Sequence, residues 1–287
     1  MNKILTSSIV WVMAILSILI VQVVGSFAIV FLPTYSDLIV YGVMIAIQAI
    51  NIYIVYSACK KREFISPNKK AKLNTKNTLL SVLLAIVTFV SMYLVSLYAF
   101  DFLTKLGVEQ SEIRIDGAYL ILALLSTVIL APIGEELVYR YVICGALQNK
   151  NTVLAIIVST LCFTFMHMSP MQTIYQLALG VVLALIVIKS SNILYAIITH
   201  ATSNLIAIIL ALLPIPTINL YSPITIIVAI ILFVLGIIAV VILANKMSIE
   251  KRETTIIQTT KQQKTITTFA YVVGFAVCLF MWIANFF

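Results

Sequence analysis

Nine stretches of this chain run for 16 to 30 residues with almost no charge: near Ile9–Phe31, Leu38–Cys59, Thr78–Phe100, Ala118–Leu147, Val153–Met168, Met171–Ile188, Ile193–Leu213, Ile224–Ala244 and Ile266–Phe286. A bilayer core about 30 Å thick needs about 20 residues of helix at 1.5 Å per residue, so such stretches read as membrane-spanning helices. The rest of the chain offers no soluble alternative. Of its 287 residues 62% are apolar and 10% charged, against roughly half and a quarter in soluble chains. An aqueous two-domain enzyme, a disordered chain, a disulfide-rich secreted module and a collagen-like chain are all excluded. The expected fold is all-α, a polytopic integral membrane bundle of about 8–9 transmembrane helices. The first stretch follows Lys3 like a signal peptide, but it is too long and lacks a small-x-small cleavage site, so it reads as an anchor.

The charges between these stretches fall into two sets. Lys60–Asn77 carries +6 and Lys246–Lys264 carries +3; with Lys3, Lys150 and Lys189 this set reaches +12. The alternate set, Asp37 and the loop Asp101–Asp116, carries −3. By the positive-inside rule the first set is cytoplasmic, which puts the N-terminus inside a multi-pass cell-membrane protein. The net charge of +8 therefore predicts anionic lipid as the partner of the basic loops, and no nucleic acid. The basic loop sets off residues 1–77, a two-helix anchor with its loop; the remainder divides into 78–117, a third helix and an extracytoplasmic loop; 118–213, a helical core; and 214–287, a C-terminal two-helix region with its basic loop.

Eight of the ten acidic residues are assigned to loops, and the remaining two, Glu135 and Glu136, stand inside an apolar stretch with Arg140. The two histidines, His167 and His200, are also inside apolar stretches. A charge near the bilayer centre costs at least about 2.5 kcal/mol, so these residues are expected to face a protein interior or a wet cavity. Glu136 and Arg140 share a helix face at i and i+4, while Glu135 is turned about 100° away. Phe163 and His167, and then His200 and Asn204, repeat the i, i+4 spacing. Pro132 and Gly134 predict a kinked or broken helix just before the acids. Singly, each group has an ordinary explanation: an ion-pair staple, a core histidine, an interhelical amide. Together they would commit both histidines and both buried acids to staples.

A carboxylate out of water serves well as a general base, an imidazole can orient water or protonate an amine, and a second His with an Asn can donate to an oxyanion. Two His and a Glu could instead hold Zn²⁺. Aspartyl, H-E-x-x-H and Gly-x-Ser designs lack their residues here, and Cys59, Cys144, Cys162 and Cys278 have no ligand spacing. A proton-coupled transporter would want a second broken helix in a matching half, and Pro132-Ile133-Gly134 has no counterpart.

In order and spacing, Glu135-Glu136-x-x-x-Arg140, Phe163-x-x-x-His167 and His200-x-x-x-Asn204 resemble the three motifs of the CAAX protease and bacteriocin-processing family, also called Abi, which includes the type II CAAX prenyl endopeptidases. The resemblance covers Ala118–Leu213. It implies a glutamate-type intramembrane endopeptidase acting on a membrane-associated peptide or protein, in peptide maturation or bacteriocin self-immunity. By motif position, Glu135 would activate water with His167 as partner, His200 and Asn204 would stabilise the oxyanion, and Glu136, Arg140 and Phe163 would support the site. Arg140 could alternatively meet a substrate carboxylate. No metal is favoured; if one is used, Glu135, His167 and His200 would hold it. The alternative function is a non-catalytic membrane scaffold or immunity protein that keeps the motifs.

Overall fold

The computed structural model describes residues 3–60, 64, 73–109, 113–214, 218–247 and 260–286. Every regular element among them is helical. We number the main helices α1 (Lys3–Phe31), α2 (Ser36–Cys59), α3 (Thr75–Lys105), α4 (Ala118–Leu147), α5 (Thr152–Phe165), α6 (Thr173–Ser190), α7 (Ile193–Leu212), α8 (Pro223–Lys246) and α9 (Lys261–Ile283). Eight are long and apolar enough to cross a membrane, and α5 is not. Its 14 residues reach only about 21 Å.

Capping residues set the starts. Asn74, Asn151 and Asn192 accept backbone N–H bonds from Asn77, Leu154 and Leu194, which occupies donors the first helical turn leaves free. Thr260 and Gln263 form a reciprocal capping box at the start of α9. Pro223 occupies the first turn of α8, where its missing N–H costs nothing. Asp37 and Asp101, read as loop residues, belong to the first turn of α2 and to α3 one turn from its end. Much of the two basic loops, including Lys61, Arg62, Lys69, Lys70, Lys72, Lys251 and Arg252, lies outside the described residues.

The apolar residues divide between an inner core and an outward face. Trp11, Tyr139, Val142, Phe163 and Leu183 are buried where α1, α4, α5 and α6 meet. Ile224, Ile230, Leu235 and Ile237 of α8 point outward with half or more of their surface exposed. An exposed face this apolar fits hydrocarbon and not water; the chain is a multi-pass helical membrane bundle.

Two predicted features are corrected. The α4 helix is not broken at Pro132. It runs on, with π-helical stretches at Leu124–Leu130 and Leu137–Cys144 on either side of Ala131–Glu136. The wider turn absorbs the proline ring that would collide with a tight α-turn. And α5 stops at Phe165, so His167 stands in the turn to α6 and not on a helix, followed by Met168 at φ 51° and Pro170.

Candidate active site

Four elements converge on Glu135: α2, α4, the α5–α6 turn and α7. Its Oε1 accepts a bond from Gln48 Nε2 at 3.0 Å. Its Oε2 has no hydrogen-bond partner and faces His200 Nε2 at 3.8 Å and His167 Nε2 at 4.0 Å. Gln48 reaches it across Gly134. A Cβ on that glycine would stand 2.3 Å from Gln48 Oε1, well inside van der Waals contact, so a glycine is what lets the amide lie against α4.

Glu136 points away from the cavity into a fully buried network. Its Oε1 accepts from Arg140 Nη1 at 3.0 Å and from His200 Nδ1 at 2.9 Å. Arg140 also donates to the Gly180 carbonyl at 3.3 Å and lies over the Phe163 ring, 4.0 Å from its centroid. Buried charges are tolerable when paired and hydrogen-bonded in this way. Arg140 has no exposed surface and does not line the cavity; its guanidinium is taken up by Glu136, Gly180 and Phe163.

Phe163 is the hub of the aromatic wall. The rings of His167 and His200 stand nearly perpendicular to it, at 81° and 87°, with centroids 5.1 and 5.5 Å away. Gly180 keeps the space beside it: a Cβ there would sit 2.9 Å from Thr160 Cγ2 and 3.3 Å from Phe163 Cδ1. The backbone carbonyl of Phe163 accepts from His167 Nδ1 at 2.9 Å. Because Nδ1 is the donor, neutral His167 presents the lone pair of Nε2 to Glu135.

Asn204 is placed by the proline. In the π register the carbonyl of Thr127 would pair with the N–H of residue 132, which is Pro132 and has none; the preceding pair, Ala131 N–H to Ser126, is made. Asn204 Nδ2 donates to that Thr127 carbonyl at 2.8 Å. Its second N–H remains for the cavity it lines.

The cavity has a volume of about 480 Å³, and Glu135, His167, His200 and Asn204 all stand in its wall. Neutral amides (Gln22, Gln48, Gln172, Gln176), methionines (Met44, Met166, Met171) and the hydroxyl residues Ser126, Thr127 and Tyr175 also line it. The structure thus brings together every residue of the three motifs, with Glu136, Arg140 and Phe163 behind the wall. Sequence reasoning missed Gln48, Gly180 and Thr127. Gln48 was detectable as a polar residue in the apolar stretch Leu38–Cys59, with Asn51 three residues on; a filter on formal charge passes over amides.

Comparison with known proteins agrees with the motifs. Residues 117–206 match a family model described as type II CAAX prenyl endopeptidase Rce1-like. An uncharacterized protein of Mycoplasma capricolum subsp. capricolum is 27% identical over 193 residues, 61% of this chain and 56% of that protein; the chain thus matches about half of that relative's length. No solved structure matches. In its motifs and over residues 117–206, the α4–α7 core of this membrane protein is similar to the type II CAAX prenyl endopeptidase Rce1-like family.

Proposed function

We propose that the protein is a glutamate-type intramembrane endopeptidase that hydrolyses a peptide bond in a membrane-associated peptide or protein, with Glu135 as the base for a bound water. One observation carries the reading. The unpartnered Oε2 of Glu135 and the Nε2 atoms of both histidines face each other across 3.8 and 4.0 Å at the wall of the cavity. Two hydrogen bonds of about 2.8 Å meeting near a right angle span about 4.0 Å, so one water fits between Glu135 and His167.

In this mechanism His167 Nε2 accepts one proton of the water as a hydrogen bond while Glu135 removes the other. The resulting hydroxide attacks the scissile carbonyl carbon. Negative charge then grows on the carbonyl oxygen, toward His200 and the free N–H of Asn204. Since His200 gives its Nδ1–H to Glu136, it can donate from Nε2 only as an imidazolium; Arg140 already balances Glu136, so the imidazolium's counter-charge is Glu135 before the water is deprotonated and the oxyanion after. Glu135 passes its proton to the nitrogen as the C–N bond breaks, leaving a carboxylic acid and an amine.

A zinc ion fits these three side chains less well. Ligands about 2.1 Å from a tetrahedral metal stand about 3.4 Å apart, whereas Glu135 Oε2 stands 3.8 and 4.0 Å from the two histidine nitrogens. A prenylated CAAX substrate is not required: peptide maturation or bacteriocin self-immunity at the cell membrane, with the N-terminus cytoplasmic, suits the isoleucine-rich chain and its charge distribution.

The test is turnover of a library of acyl-anchored fluorogenic peptides by the full chain in proteoliposomes. Glu135→Gln and His167→Ala should each lower cleavage at least about a thousandfold, in line with loss of the base and its partner, while membrane accumulation and thermal unfolding stay close to wild type. Undiminished turnover by both variants would refute the mechanism. A physiological function that survives both substitutions would favour the scaffold or immunity role.

A further inference from the structure

A second cavity lies at the end of the bundle where α1 and α9 begin, far along α5 from the histidines. It measures about 370 Å³ and has two characters. Lys150, just before α5, and Lys264, in the first turn of α9, line it and are exposed; no acidic side chain does so. Leu154, Val158 and Val272 supply an apolar wall that continues onto the outward face of the bundle. Between these parts sits Thr267, 6% exposed, whose Oγ has no hydrogen-bond partner. A buried hydroxyl left unbonded beside a paired cation rim is a donor waiting for an acceptor.

We propose that this cavity binds one anionic phospholipid. The phosphate lies between Lys150 and Lys264, the Thr267 hydroxyl donates to an ester or phosphate oxygen, and an acyl chain follows Leu154, Val158 and Val272. The charge selects the headgroup, because two cations at a membrane surface face no carboxylate among the residues lining the site. The apolar wall selects a lipid over a free anion, since phosphate alone would leave that wall unfilled. Lysine stems suit such a rim, with their methylenes along apolar surface and their ammonium groups at the headgroup level. The occupant would wedge between α5 and α9, and α5 carries Phe163 near its opposite end.

The test uses the purified full chain in detergent, given equal amounts of phosphatidylglycerol and phosphatidylcholine, with bound lipid counted by native mass spectrometry. The wild-type chain should retain phosphatidylglycerol in clear preference. Each lysine contributes about fivefold, so K150A/K264A should bind roughly 30-fold less of it. T267V should lower retention several-fold with both lysines intact, whereas K76A, at an exposed lysine elsewhere, should change nothing. Inorganic phosphate at millimolar concentration should not displace the lipid. Equal retention of the two lipids, an equal loss in K76A, or displacement by phosphate would overturn the proposal. None of these readouts depends on proteolysis, so the lipid site and the protease reading stand or fall separately.

Discussion

Gly134→Ala is the sharpest probe of how Glu135 is held. The new Cβ would stand 2.3 Å from Gln48 Oε1 and 3.3 Å from Gln48 Cβ and Cδ. The end of a flexible side chain yields before two packed helices do, so Gln48 should swing away and its 3.0 Å bond to Glu135 Oε1 should break. A hydrogen bond to a charged group contributes about 1.5–3 kcal/mol. Alanine returns about 1 kcal/mol of helix propensity over glycine, so the fold should lose no more than about 2 kcal/mol. The carboxylate, however, is no longer aimed. If the whole bond serves to aim it, cleavage should fall by roughly 10- to 100-fold, at about 1.4 kcal/mol per decade. Gln48→Ala should produce the same loss without the clash. The decisive measurement is the double variant, assayed on the peptide the wild-type chain turns over. Because both changes remove one contact, Gly134→Ala added to Gln48→Ala should cost nothing more. Losses that multiply in the double variant, or a Gly134→Ala enzyme at wild-type rate beside a slow Gln48→Ala, would refute the contact as the cause.

Other substitutions separate support from chemistry. Glu136→Gln leaves Arg140 buried without its carboxylate and should lower stability by about 3–5 kcal/mol, read as a large drop in thermal unfolding temperature or in membrane accumulation. Gly180→Ala presses on Thr160 and Phe163, and overpacking of this kind should cost about 1–3 kcal/mol and slow turnover by displacing the ring that both histidines rest on. Asn204→Ala strips the Thr127 carbonyl of its donor, at about 1–3 kcal/mol. Adding Pro132→Ala should recover part of that stability, because residue 132 then carries an N–H; activity should stay low, because the side-chain donor is still missing.

Membrane class, the all-helical architecture and the identity of the polar cluster could all be read from residue order. In a chain this apolar, a charge outside a loop has to be justified by an interior partner, which made Glu135, Glu136, Arg140, His167 and His200 visible at once. The i, i+4 spacings held where both members share a helix, as for the 3.0 Å Glu136–Arg140 pair. Phe163 and His167 also meet, with ring centroids 5.1 Å apart, although His167 lies past the end of α5; what the spacing did not show is that the helix ends there, at a positive-φ residue with a proline after it. Of the kink or break read at Pro132, the break is absent: a proline forbids one hydrogen bond, but whether the helix runs on through a π-turn depends on what else can satisfy the freed carbonyl. Here that is Asn204, 77 residues away.

By itself, then, the sequence determined the solvent this protein lives in and the short list of residues that solvent would not accept, because transfer into hydrocarbon is a local cost each residue bears alone. Only the tertiary structure decided how those residues divide. Glu136 is paired with Arg140 behind the wall and hydrogen-bonded to His200, while its neighbour Glu135 keeps one oxygen free in the cavity and is aimed by Gln48 from a helix outside the family match. Pairing is a property of two groups at a distance. Residue order lists the groups, and the fold sets the distance.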